Sequence, residues 1–156
     1  MYTVSSSDDY NKNEWIGVTS SGNTILVYGG KSHYVFSTDG GLTWKNDSVE
    51  AGGGAMKADF NHMIMLNPQT WWGAMDEGHI FLTTDGGTTW TSQQTSEGGS
   101  YLFGIDAWDS RLALVVGQTN NWPNRGPILK SSNGGAIWGL KKVYRSNLSK
   151  VSFIKQ

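Results

Sequence analysis

The sequence predicts an all-β protein assembled from three copies of one four-stranded antiparallel unit. Three observations carry that expectation. One octet pattern occurs three times at nearly even spacing, each octet follows a short apolar run of strand length, and none of the 156 residues falls in a sustained helical period. The octets are Ser37-Thr38-Asp39-Gly40-Gly41-Leu42-Thr43-Trp44, Thr83-Thr84-Asp85-Gly86-Gly87-Thr88-Thr89-Trp90 and Ser131-Ser132-Asn133-Gly134-Gly135-Ala136-Ile137-Trp138. Asp39, Asp85 and Asn133 stand 46 and then 48 positions apart.

Each octet reads as a β-hairpin turn. Asp or Asn followed by Gly-Gly supplies residues that accept a positive φ, and the Asp side chain can accept hydrogen bonds from amides further round the turn. The runs before the octets are Tyr34-Val35-Phe36, His79-Ile80-Phe81-Leu82 and Pro127-Ile128-Leu129. Upstream, each period holds two more strand-length segments. In the first copy these are Trp15–Val18 and Thr24–Tyr28, and in the second His62–Leu66 and Thr70–Met75. In the third they are Tyr101–Ile105 and Arg111–Gly117. Four short strands in a period of roughly 47 residues describe a β-propeller blade. One domain over residues 1–156 is expected, with blades at about 10–49, 55–95 and 99–144 and a terminal strand at 148–154.

Composition agrees with sheets and tight turns. Gly (21) and Trp (8) are abundant, and only 16% of residues are charged. The net charge of −1 lacks the basic excess of a nucleic-acid binder and the polybasic patch of a membrane-surface protein. There is no cysteine, which removes disulfides and thiolate metal sites. No basic n-region with an apolar h-region opens the chain, and no apolar run is long enough to span a bilayer, so a soluble protein without a signal peptide is expected.

The octets resemble the Asp-box, or bacterial neuraminidase, repeat found in sialidases, sortilin-type receptors and other propellers. The second copy, with Asn67-Pro68-Gln69-Thr70, Trp71-Trp72-Gly73-Ala74 and Gly78-His79-Ile80-Phe81-Leu82 leading into its octet, most resembles blades of the photosynthesis-system assembly factor propellers and their bacterial relatives. The resemblance covers about residues 14 to 144. It implies that Asp39, Trp44, Asp85, Trp90, Asn133 and Trp138 are structural and lie far from the ligand-binding face. The third octet departs by carrying Asn133, which keeps the turn chemistry. The three octet tryptophans are expected in the core. Trp71 and Trp72 alternate across a strand, so one is expected between blades and the other partly exposed.

A closed propeller takes four to eight blades, since an incomplete ring leaves open sheet edges. Leu148–Ile154 reads as the first strand of a further blade and Tyr2–Ser5 as an outer strand. Two arrangements follow: a piece of a longer propeller, or a homodimer of two copies head to tail in a six-bladed ring. The complementary leftovers and the initial Met favour the dimer.

Strand order places the octets on one face with the loops between first and second strands. The loops between second and third strands and the inter-blade segments share the other face. That second face collects Lys31, His33, Asp76, Glu77, His79 and the insertion containing Asn120, Asn121, Trp122, Asn124 and Arg125, beside the glycine-rich stretches Glu50–Gly54 and Glu97–Ser100. A ligand cup there would use Trp122 as a stacking surface and the Asn and Arg groups as hydrogen-bonding partners, suiting a glycan or a protein segment. The plainer alternative is a polar loop whose Trp covers a blade edge. His33 and His79, with His62, could pose as a metal site, but repeat-derived histidines need not ligate. Asp76 and Glu77 could pose as a glycosidase pair, but neighbours at a tight turn usually diverge.

Sialidases place three arginines on the substrate carboxylate beside a Tyr/Glu nucleophile pair. This chain has only Arg111, Arg125 and Arg145 and no Phe/Tyr-Arg-Ile-Pro segment, and it shows no nucleophile elbow, phosphate loop or metal-ligand spacing. The expected function is a non-catalytic binding or assembly module with no cofactor and no metal. The alternative is a glycan-binding module or a sialidase-like hydrolase.

Overall fold

The computed structural model describes residues 14–49, 58–95, 100–120 and 125–154. Among these residues twelve strands form three sheets, each an antiparallel meander in chain order. The first holds β1 (Trp15–Ser21), β2 (Thr24–Gly29), β3 (His33–Ser37) and β4 (Lys45–Ser48). The second holds β5 (Phe60–Asn67), β6 (Thr70–Met75), β7 (His79–Thr83) and β8 (Thr91–Gln94). The third holds β9 (Tyr101–Ala107), β10 (Ala113–Gln118), β11 (Gly126–Ser131) and β12 (Gly139–Tyr144). The one helical element among the described residues is a single 3-10 turn at Asp76–Gly78. The first strands lie side by side, β1 along β5 and β5 along β9, so the sheets fan out from their inner edges.

The octets close the hairpins between third and fourth strands as their chemistry demands. In the first, the Ser37 hydroxyl donates to Asp39 Oδ1 at 2.7 Å, and Asp39 Oδ1 accepts the Thr43 amide at 2.9 Å. Gly40 and Gly41 sit at φ 75° and 91°, where a side chain would be strained. The same pattern recurs around Asp85 and Asn133. The first glycine of each octet donates its amide to the turn between first and second strands: Gly40 to Asn23, Gly86 to Gln69 and Gly134 to Arg111, at 2.9–3.0 Å. The octets therefore share a face with those turns.

Apolar packing lies between the sheets. Leu26, Tyr28 and Tyr34 of the first meet Phe60, Met63, Trp71 and Phe81 of the second. Trp72, Ala74 and Ile80 of the second meet Leu102, Ile105, Val115, Leu129 and Trp138 of the third. Strand alternation sends Trp71 and Trp72 to opposite sides, and both are fully buried because the middle sheet has a neighbour on each side. The expected partial exposure of one of them is thereby corrected.

Octet tryptophans are not uniformly core. Trp138 is buried and Trp90 is partly buried against the first cluster, but Trp44 is 40% exposed. Each octet Trp packs toward the preceding sheet, and no described sheet precedes the first. The first sheet also carries the exposed Trp15, Ile16 and Val18.

At the other end the segment Leu148–Ile154 forms no ladder, although a strand was expected there. It runs beside β9 nevertheless. The Leu148 amide donates to the Gly117 carbonyl at 3.1 Å, the Phe153 amide to Asp106 Oδ2 at 2.6 Å, and the Phe153 ring meets Trp108 edge to face. Tyr2–Ser5 lies outside the described residues.

Candidate functional site

Opposite the octets, the loops between second and third strands meet the inter-blade segments. In the first blade the chain reverses through Lys31 and Ser32 (φ 55° and 59°), and in the second through Glu77 and Gly78 (φ 61° and 77°). Lys31 and Glu77 hold equivalent places 46 residues apart. A left-handed conformation costs a non-glycine residue about 1 kcal/mol, so surrounding bonds must hold each turn. The Ser32 hydroxyl donates to the Val49 carbonyl and the Val49 amide to the Ser32 carbonyl, both at 3.1 Å. The Gly78 amide donates to the Ser100 carbonyl at 2.6 Å.

Asp59 joins the two turns. Its Oδ1 accepts the Lys31 amide at 2.8 Å, and its carbonyl accepts the Asp76 amide at 3.3 Å. Asn61 then donates Nδ2 to Asp76 Oδ1 at 2.7 Å. Burial pushes the Asp76 carboxyl above the ordinary carboxylate range, and Asp59 and Glu77 push it the same way, against the Asn61 bond. The result is a partly desolvated, mixed-charge patch on rigid backbone. It offers carboxylate acceptors from Asp59 and Asp76 beside the exposed Lys31 and Glu77.

The other expected site residues divide. His79 lies against Phe81, ring centroids 6.2 Å apart. His33 lines a shallow concavity of about 130 Å³ with Trp15, Val35, Asn46 and Ser48, on the first blade. No group of three His, Cys, Asp or Glu able to hold a metal ion forms among the described residues. Arg125 and Asn120 are exposed, and Arg125 is tied to its own hairpin, its carbonyl accepting the Thr119 amide at 2.8 Å. Asn121, Trp122 and Asn124 lie outside the described residues. Asp59 and Asn61 were missed by sequence reasoning, although both sit where an inter-blade segment enters a first strand, on the face assigned to such segments.

Meandering four-stranded sheets fanned from adjacent first strands define β-propeller blades. No family model matches this chain and no curated protein matches it. Solved structures do match. One, described as YCF48 bound to D1 peptide, is 16% identical with a TM-score of 0.62 over 85% of this chain and 40% of that one. Another, YCF48 from Cyanidioschyzon merolae, is 17% identical with a TM-score of 0.60 over 88% of this chain and 46% of that one. The chain thus spans less than half the length of either. At such identities the likeness is one of fold. No described helix is long and apolar enough to cross a membrane.

Proposed function

We propose that this chain is a non-catalytic propeller module, its octets being Asp-box turns, that holds an extended protein segment on the face opposite those octets. The observation that carries the reading is the Asp59 bridge, which fixes the Lys31 and Asp76 turns of two blades into one polar surface. Carboxylate oxygens held by backbone bonds accept from peptide amides and basic side chains, and such charge-assisted bonds are the stronger kind. A solved structure with the same fold is described as bound to a peptide, which supports a protein ligand. The exposed Asn120 and Arg125 are proposed as part of the rim of the same surface.

An array of short random-sequence peptides tests this reading, with the best binders measured by calorimetry. Asp76→Ala and Asn61→Ala are expected to weaken binding about tenfold. Leu42→Ala on the octet face is expected to leave it unchanged. Binding only on a glycan array, or turnover of a chromogenic glycoside, overturns the proposal.

A further inference from the structure

Both described blade junctions are closed by one device. At the first, Tyr34 of β3 donates its hydroxyl to the Gly87 carbonyl at 3.0 Å and accepts the Trp90 indole N–H at 3.1 Å. At the second, Gln93 of β8 donates Nε2 to the Gly134 carbonyl at 3.0 Å and accepts the Trp138 indole N–H on Oε1 at 3.1 Å. Tyr34 pairs with Asp47 across β3 and β4, and Ile80 pairs with Gln93 across β7 and β8, so the two bridging groups belong to equivalent cross-strand pairs. In each junction a side chain that both donates and accepts is inserted between the next blade's octet and its Trp. The octet's second glycine makes room for it: a Cβ on Gly135 would overlap the Gln93 amide, and one on Gly87 would stand 3.2 Å from the Tyr34 hydroxyl.

Among the described residues the first octet has no such guest. Trp44 turns its indole N–H onto the Gly41 carbonyl of its own turn at 3.0 Å, the carbonyl equivalent to that of Gly87. A Cβ on Gly41 would meet only Trp44 and Ile25, at 3.5 Å and 3.7 Å. Around it the face carries Val18, 65% exposed, with Trp15 bordering the concavity.

A second copy of this chain fits that face poorly. Its third blade offers Ile128 paired with Lys142, after a one-residue bulge, at the bridging position. A lysine donates and cannot accept the indole proton. Lys130 stands where Phe36 and Leu82 stand in the other blades, and the place beside β9 that an incoming β1 would take is held by Leu148–Phe153.

We infer that the open face of the first blade is a docking surface for a further four-stranded blade bearing Tyr or Gln at the bridging position, not for this chain's own third blade. Continuity with the two observed junctions argues for that occupant. Docking moves the Trp44 N–H from Gly41 to the incoming side chain.

The probe is a duplicate of residues 14–57 inserted between Asn13 and Glu14 of the full chain, which presents the Tyr34 of the duplicate to Trp44. Hydrogen exchange of the Trp44 indole is expected to slow at least about tenfold, to the level of Trp90 and Trp138. Tyr34→Gln in the duplicate is expected to keep this protection and Tyr34→Lys to abolish it. Unchanged Trp44 exchange in the folded insertion protein, equal protection by Lys, or dimers of the unmodified chain with Trp44 protected, each overturns the inference. Should the insertion protein not fold, the unmodified chain still decides. Trp44→Ala is expected to leave its unfolding midpoint nearly unchanged while Trp90→Ala and Trp138→Ala lower it, and equal losses at all three overturn the inference.

Discussion

The phenol of Tyr34 accepts the indole N–H of Trp90 from the next blade while donating to that blade's octet carbonyl at Gly87. One hydroxyl thus bridges a donor and an acceptor of the neighbouring blade at once. The ring itself packs edge to face on Trp71 and Trp90, centroids 6.3 Å and 5.6 Å away. Tyr34→Phe keeps the ring and removes both bonds. It is expected to lower the unfolding free energy by about 1 kcal/mol in urea titration, the net worth of the bridge, since Trp90 and Gly87 can then pair with each other as Trp44 and Gly41 do. A loss no larger than that of an exposed Tyr→Phe change, such as Tyr144→Phe, would count against the relay.

The same environment fixes an alkaline response. Burial pushes the Tyr34 phenol up to about 12, further raised by Asp47 and Asp85 and opposed by the Trp90 bond. The folded pKa lies above the unfolded value of 10.0, so this contribution to stability is complete below pH 10 and is lost as pH rises through about 12. Burial also raises the Tyr28 phenol, so tyrosinate absorbance is expected to show late-titrating tyrosines, and Tyr34→Phe should remove the Tyr34 share of that late phase.

Sequence alone reaches the octets, the four-strand period and the division of loops between faces, because these depend on local turn chemistry. Asp39-Gly40-Gly41 can only be a turn of this kind. What it does not reach are properties lent by a neighbouring sheet. Trp44 closes the same octet pattern as Trp90 yet is 40% exposed, since burial of an octet Trp belongs to the preceding blade. Asp59 escapes notice because its role is to join two turns 17 and 28 residues away, visible only once the blades stand side by side. The left-handed turn at Lys31 and Ser32 has its glycines, Gly29 and Gly30, just before the two positive-φ positions and not at them.

The third octet contains a natural experiment. Asp39 and Asp85 each accept a threonine hydroxyl on Oδ2 at 2.6 Å, from Thr43 and Thr89. Where Asn133 replaces Asp, Ile137 replaces that threonine, and only the bonds to Oδ1 persist. Both aspartates are held down to about 2, chiefly by these threonine hydroxyl bonds, so their contribution is present above the ordinary value of 3.8 and is lost as pH falls through about 2. Asp85→Asn is therefore expected to cost less stability than Asp85→Ala, and pairing it with Thr89→Ile should recover part of the loss. Equal midpoints for the Asn and Ala variants in thermal unfolding would refute this account.

His62 sets a further pH response at the other junction. Its Nδ1 accepts the Ile105 amide at 3.1 Å, so the ring is neutral with its proton on Nε2, and it joins β5 to β9. Burial pushes its pKa below the ordinary 6.5, with Lys150 acting the same way and Asp106 opposing. The unfolded chain then binds a proton more readily than the folded one, so stability is full above about pH 6.5 and falls as the solution is acidified below it. Protonation at Nδ1 would also remove the acceptor that Ile105 uses. His62→Gln keeps an acceptor, one bond further from the backbone than Nδ1, on a non-titrating side chain. Urea midpoints measured from pH 8 to pH 5 should therefore decline more steeply for the wild type than for His62→Gln, and parallel declines would show that the junction does not titrate.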